Sequence, residues 1–274
     1  MKTIIVATDY SKGAENALKY AVNIARFCKT NIVLFNSYQL STHAANGLIS
    51  PAGIDELVSK SKNRLKEYAD KLSLQYGISF GAFSSDGLIE EELNALASDL
   101  DAAMIVMGMR GNSLEYKLFG NTTTSVVRSS GIPVMVIPEG LAFKLPEKIL
   151  FACDYHQVPC DDTLNMLKDF TATFDAEVQV FHVGKTPDLA TVGGCPESAV
   201  VSRLENSLIP LKHSYRDVEV NDIILGIREG IQSFKADVLV MAPHKYGFFE
   251  SMFHKSKTRE MVIKVSLPLL ALPC

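Results

Sequence analysis

The chain has no surplus of positive charge: 27 Lys and Arg stand against 31 Asp and Glu, a net charge of −4 over 274 residues. General nucleic-acid binding needs a basic footprint, so that class is excluded. Cysteine is scarce and odd in number. Five widely scattered cysteines make a disulfide framework a poor fit and a reducing compartment a good one. No apolar run approaches the length of a membrane span, and the one after Met1 is far too short for a signal peptide, so a soluble, cytoplasmic protein is expected. The usual chemical signatures are missing as well: there is no G-x-x-x-x-G-K-[ST], G-x-G-x-x-G, G-x-S-x-G or H-E-x-x-H. What remains is a globular composition, 47% hydrophobic and 21% charged, at a length that suits one large domain or two ordinary ones.

The informative stretch is 104–138, MIVMGMRGNSLEYKLFGNTTTSVVRSSGIPVMVIP. An apolar run ending in Met107 stops at Gly108, and Gly111 follows after two intervening residues. Gly120, Asn121, Thr122 and Thr123 then precede a helix-like 125–129, and an apolar strand at 134–137 closes the unit. Strand, glycine turn, hydroxyl-rich helix start and strand together make an anion pocket in α/β proteins. Glycine lets backbone approach a ligand, and the unbonded N–H groups at a helix N-terminus face a phosphate. Arg110 would add a fixed cation. The bland alternative is a set of ordinary turn glycines with an Asn-Thr N-cap.

Taken in order, residues 3–7 form a β-branched run of the kind a parallel strand buried on both faces shows. Ser11 suits the N-cap of a helix whose apolar positions, from Ala14 to Cys28, keep helical spacing. Further strands are expected at 31–37 and 78–84, helices at 54–76 and 88–100, and a loop or lid at 39–53, rich in Ser, Ala, Gly and Asn. Alternating strands and helices predict a parallel, doubly wound sheet. Then the pattern restarts. Lys148-Ile-Leu-Phe-Ala-Cys-Asp154 repeats Thr3-Ile-Ile-Val-Ala-Thr-Asp9, and 177–183 repeats 31–37. Likewise 237–242 repeats 103–108, and 267–273 repeats 132–138. Such self-similarity marks a duplicated domain. Two domains are expected, 1–140 and 145–274, joined by a linker over 139–146.

The order strand-T-D-x-S, then M-G-x-R-G, then G-N-T before a helix and I-P-V-x-V-I-P, resembles the universal stress protein family in its tandem form. The resemblance implies two Rossmann-like domains of the adenine nucleotide alpha hydrolase-like group, each a five-stranded parallel sheet flanked by helices. It implies ATP as the ligand of the first domain, with or without Mg2+. Matched to the family, the backbone at Ala7, Thr8 and Asp9 and at Ser37 would hold the adenine, with Asp9 near the ribose. Met107, Gly108, Arg110, Gly111, Gly120, Asn121, Thr122 and Thr123 would line the phosphates. Eight residues separate Gly111 from Gly120 where the family pattern has nine, and Asn121 stands where Ser or Thr is usual. Pairing through the last strand implies an intramolecular pseudo-dimer of the two halves through 134–137 and 269–272, or a homodimer.

The second half lacks the cradle. Ala242-Pro243-His244-Lys245 stands where the glycines are expected, so a family-type nucleotide site is not expected there. The mixed stretch 244–259 carries His244, Lys245, Phe248, Phe249, Phe253, His254, Lys255, Lys257 and Arg259 and suits an anion, a protein partner or a solvated loop. Cys153-x-x-His156-x-x-x-Cys160 has metal-like spacing, but a closed zinc site needs four ligands and no matched second pair exists. Cys153 reads as a buried structural thiol and His182 as a satisfied core histidine. No catalytic grouping appears, so any ATP hydrolysis is expected to be slow. The expected function is an adenine-nucleotide-binding stress-response protein. The alternative is a protein-interaction module that binds no nucleotide; an adenylating or amide-forming enzyme is a third reading, with no visible acceptor site.

Overall fold

A computed structural model describes residues 2–38, 51–109, 121–153, 159–183, 197–220, 222–242 and 267–273. The chain divides into two compact units, one built from described residues up to 143 and the other from 144 onward.

The first unit is a parallel sheet in the order β3-β2-β1-β4-β5. Its strands are β1 (Ile4–Ala7), β2 (Ile32–Ser37), β3 (Phe80–Ser85), β4 (Met104–Met109) and β5 (Val134–Pro138). Between them run α1 (Lys12–Cys28), α2 (Pro51–Tyr76), α3 (Ile89–Asp99) and α4 (Asn121–Ser129). Ile4 of β1 is in register with Ile32 on one side and Met104 on the other. The central strands are apolar on both faces because helices cover both. α1 begins where Ser11 Oγ accepts the N–H of Ala14 at 3.2 Å, and ends at Lys29 in the left-handed region, φ 53°. It buries Ala14, Ala17, Leu18, Ala21 and Ala25, and the four alanines allow a close approach.

Two expectations need correcting. The loop read over 39–53 gives way to helix at Pro51, since proline's fixed φ suits the first helical turn; residues 39–50 lie outside the described residues. The helix read from residue 125 already starts at Asn121, so the threonines form its first turn.

The second unit repeats the order as β8-β7-β6-β9-β10. Its strands are β6 (Lys148–Ala152), β7 (Glu177–Val183), β8 (His213–Val218), β9 (Val238–Met241) and β10 (Leu269–Ala271). Its helices are α5 (Asp161–Phe174), α6 (Glu197–Leu208) and α7 (Ile223–Phe234). All pairings described within it are parallel. Leu164, Leu167, Phe170 and Phe174 of α5 are buried. α7 lies close on β7 because it offers glycine there: a Cβ on Gly230 would come within 2.6 Å of Phe181 Cζ. Asp237 ties down the start of this unit by accepting the N–H groups of Glu147 and Lys148, each at 3.1 Å, beside the ammonium of Lys144. In each unit the first strand lies between the second and the fourth. The crevice where strand order reverses, at the carboxyl ends, is where open α/β sheets take ligands.

Candidate functional site

At the carboxyl end of β1 the chain leaves the sheet through Thr8, Asp9, Tyr10 and Ser11. Thr8 is buried; its N–H donates to Phe35 O at 2.8 Å and its carbonyl accepts from Asn36 Nδ2 at 2.7 Å. Its hydroxyl accepts the N–H of Tyr10 at 3.1 Å. The main chain at Thr8 is thus already engaged by the protein. Asp9 accepts the N–H of Ser11 at 3.0 Å, an Asx turn that sets up the Ser11 cap of α1. Ala7, half-buried, is the last residue of β1, in register with Phe35.

Ser37 differs from its neighbours. It ends β2, and its hydroxyl is buried with no hydrogen-bond partner among the described residues. Leaving such a group unpaired costs about 1–3 kcal/mol. The Tyr10 hydroxyl is also buried and unpartnered among the described residues. Tyr10 adopts the left-handed conformation, φ 59°, an unfavourable place for a bulky side chain. Its ring lies under the guanidinium of Arg64, 4.2 Å from ring centroid to Cζ, and 5.7 Å from the Tyr68 ring. Burial raises the Tyr10 pKa above the ordinary tyrosine value, and the Arg64 charge partly offsets it. Tyr68 is raised too, first by burial and then by the nearby Glu15 carboxylate. Tyr10, Arg64 and Tyr68 were not among the candidates drawn from the sequence. The Asp-Tyr-Ser turn hinted at Tyr10; nothing in the pattern of α2 singled out Arg64.

β4 reaches the same end of the sheet. Met107 is buried, and Gly108 is half-buried against the start of α1. A Cβ on Gly108 would sit 2.3 Å from Gly13 O and 2.7 Å from Ala14 N. Helix and strand therefore touch backbone to backbone, which gives Gly108 a packing role whatever binds nearby. α4 starts at Asn121, with Thr122 exposed and Thr123 buried in its first turn, and the N–H groups of that turn have no acceptor within the helix. Ser125 in the next turn donates to Glu90, and this bond lowers the Glu90 pKa. Arg110, Gly111 and Gly120 lie outside the described residues, as does the mixed stretch 244–259.

The second unit builds its equivalent end from other side chains. Cys153, in the place of Thr8, is buried, and its carbonyl meets His182 Nδ1 at 3.0 Å. His182 therefore makes the clamp that Asn36 makes in the first unit. Val183 replaces Ser37, by register of the two strand pairs. Tyr215 on β8 has a buried hydroxyl unpartnered among the described residues, and its pKa is pushed up to about 12 by burial, with the Glu205 carboxylate adding to the effect. No group of three metal-ligating side chains occurs among the described residues, and no described helix is long and apolar enough to cross a membrane.

Comparison with known proteins completes the description. The model of the Universal stress protein family matches residues 1–138. A universal stress protein of Synechocystis is 25% identical over 142 residues, 50% of this chain and 85% of its own. One from Methanocaldococcus jannaschii is 26% identical over 140 residues, 50% of this chain and 81% of its own. The crystal structure of a universal stress protein from Archaeoglobus fulgidus matches 99% of this chain and 96% of its own at a TM-score of 0.70 and 17% identity, a likeness of fold.

Proposed function

The chain belongs to the universal stress protein family, and we propose that its first unit binds an adenine nucleotide at the carboxyl ends of β1, β2 and β4. The supporting observation is Ser37, whose buried hydroxyl has no partner among the described residues and sits at the carboxyl end of β2, next to β1. A purine edge, which offers both donors and acceptors, satisfies such a group. The residues fit the adenosine end of the ligand. Thr8 is held rigid by three hydrogen bonds, so the wall it forms is ordered before the ligand arrives. Asp9, at the exposed edge of the turn, suits the ribose hydroxyls. The phosphates would run toward Gly108 and the first turn of α4, where Asn121, Thr122 and Thr123 supply N–H groups and hydroxyls. Arg110, Gly111 and Gly120 would complete that cradle. ATP with Mg2+ is the form proposed, the ion serving to neutralise phosphate charge.

The second unit has no hydroxyl at the matching strand end. Val183 presents methyls where Ser37 presents a hydroxyl, and Pro243 removes an N–H from the cradle position. One nucleotide per chain is the expected stoichiometry. The test is calorimetric titration of the full chain with ATP and with AMP. Binding that Gly111→Val abolishes supports the reading. Wild-type protein that binds neither nucleotide at millimolar concentration ends it.

A further inference from the structure

In the first unit β3 pairs with β2 on one side and with no described strand on the other. Residues of a parallel strand direct their backbone groups alternately to the two sides. Ser79 O accepts the Ile32 N–H at 3.1 Å and Ser85 O accepts the Tyr38 N–H at 2.7 Å, so the odd-numbered residues spend theirs on β2. Phe80, Ala82 and Ser84 aim theirs outward. The Phe80 N–H is already given to Ser73 Oγ at 3.1 Å. The N–H and carbonyl groups of Ala82 and Ser84 have no partner among the described residues. Ala82 is exposed, and so is Phe83, whose ring stacks on Phe35 at 6.2 Å and remains 37% exposed.

An open edge invites a further strand, and proteins commonly block it with charge or proline. The second unit does so: its outer strand β8 carries Arg216 and Asp217, both exposed. β3, Phe-Gly-Ala-Phe-Ser-Ser, carries neither charge nor proline.

We propose that β3 pairs with β3 of a second copy of this chain, antiparallel across a two-fold axis at Phe83. In that register Ala82 faces the second copy's Ser84, and Ser84 faces its Ala82. Every open backbone group of the two residues is then bonded, and the occupied Phe80 N–H is not needed. The two Phe83 side chains lie directly opposite on one face, at the closer, non-hydrogen-bonded spacing, where aromatic pairs stabilise a sheet. Charge selects the same orientation. The chain ahead of β3 is basic, with exposed Arg26 donating to Tyr76 O at 2.8 Å. The chain after it is acidic, with Asp86 and Glu91 exposed. Antiparallel pairing lays the acidic end of one copy beside the basic end of the other, whereas parallel pairing sets like charge against like. The contact is isologous, so it uses up both edges and stops at two copies.

The test measures the mass of the full chain by sedimentation across the micromolar range, with amide hydrogen exchange at Ala82 and Ser84 read at each concentration. The expected species has twice the 30.0 kDa mass of the chain, and both amides exchange more slowly as it forms. Ala82→Pro removes only an outward N–H, which an edge strand tolerates. It should weaken association about tenfold or more, because the axis doubles the lost bond. Phe83→Lys sets two like charges on the axis and should give a monomer. Circular dichroism checks that each variant is folded, and should one fail, the other and the exchange data decide. A monomeric wild type would overturn the proposal and leave the edge to a different partner. A dimer that either folded variant leaves intact, or one whose Ala82 and Ser84 amides exchange as fast as in the monomer, would also overturn it by placing the interface elsewhere.

Discussion

The first strand of one unit is clamped by an asparagine and that of the other by a histidine. Asn36 Nδ2 bonds to Thr8 O at 2.7 Å, and His182 Nδ1 meets Cys153 O at 3.0 Å. A buried carbonyl past the end of a strand must find a donor, and both units supply one from the neighbouring strand. This bond belongs to the fold and says nothing about a ligand. The differences around it are the informative part. Four residues separate β1 from α1 and eight separate β6 from α5. Ser37, whose hydroxyl has no partner among the described residues, is matched by Val183. Gly108, backed against the α1 backbone, is matched in the sequence repeat by Ala242. The first unit keeps a short, tightly packed turn and, at the end of its second strand, a serine hydroxyl with no partner among the described residues; the second has a longer connection and a valine at that position.

The comparison breaks most visibly at glycine. Gly108→Ala places a methyl 2.3 Å from a carbonyl oxygen of the α1 backbone, which cannot rotate away. A loss of about 3 kcal/mol in stability is expected, measured by denaturant unfolding. Gly230→Ala meets the far end of the Phe181 side chain, 2.6 Å away, and gains helix propensity, so its loss should be about 1 kcal/mol. Equal losses would show that the two units use glycine alike.

Next comes the clamp. His182→Leu leaves the Cys153 carbonyl buried and without its imidazole partner, at a cost of about 1–3 kcal/mol. His182→Asn should recover most of it, because asparagine already fills the role in the first unit. A destabilised His182→Asn would mean that the imidazole does more than hold the carbonyl.

Ser37→Val sharpens the contrast at the crevice by giving the first unit the second unit's residue. The free protein should gain stability slightly, by about 0.5 kcal/mol, because a buried hydroxyl with no partner among the described residues is removed. Nucleotide affinity should fall about tenfold, the equivalent of one lost hydrogen bond. Thermal melts and calorimetry measure the two effects separately.

The smallest effect is alkaline. Tyr215 has a folded pKa raised to about 12, above the ordinary value of 10.0. Because the folded state disfavours the phenolate, the stability tied to Tyr215 is fully present below pH 10 and is lost as pH rises toward 12. Tyr215→Phe should flatten that part of the stability profile; an unchanged profile would assign the loss to other groups.

Much of the fold was legible because the central strands are continuous apolar runs, 4–7, 104–107, 149–152 and 238–241, repeated in one order. β8 was not, since His-Ser-Tyr-Arg-Asp-Val carries little apolar pattern at the sheet edge. The start of α4 was misjudged because a threonine run has weak helix propensity, and tertiary packing of Thr123 decided the matter. The turn that leads into α1 was legible because it is local: Ser11 caps the helix as its sequence position suggests, and Asp9 buttresses it. Gly108 could be read as a turn glycine, but its contact with Gly13 depends on how α1 lies on β4. Arg64 over Tyr10 joins residues on separate elements, and no local pattern encodes such a pair.

The central claim is that one of two like units keeps a nucleotide-binding end. Amide chemical shifts of the full chain during titration with ATP and Mg2+ test it most directly. The account predicts saturable shifts clustered at Thr8, Ser37, Gly108 and Thr122, at one nucleotide per chain, with Cys153 and His182 unmoved. Shifts centred on Cys153 and His182, or none at saturating nucleotide, would contradict it.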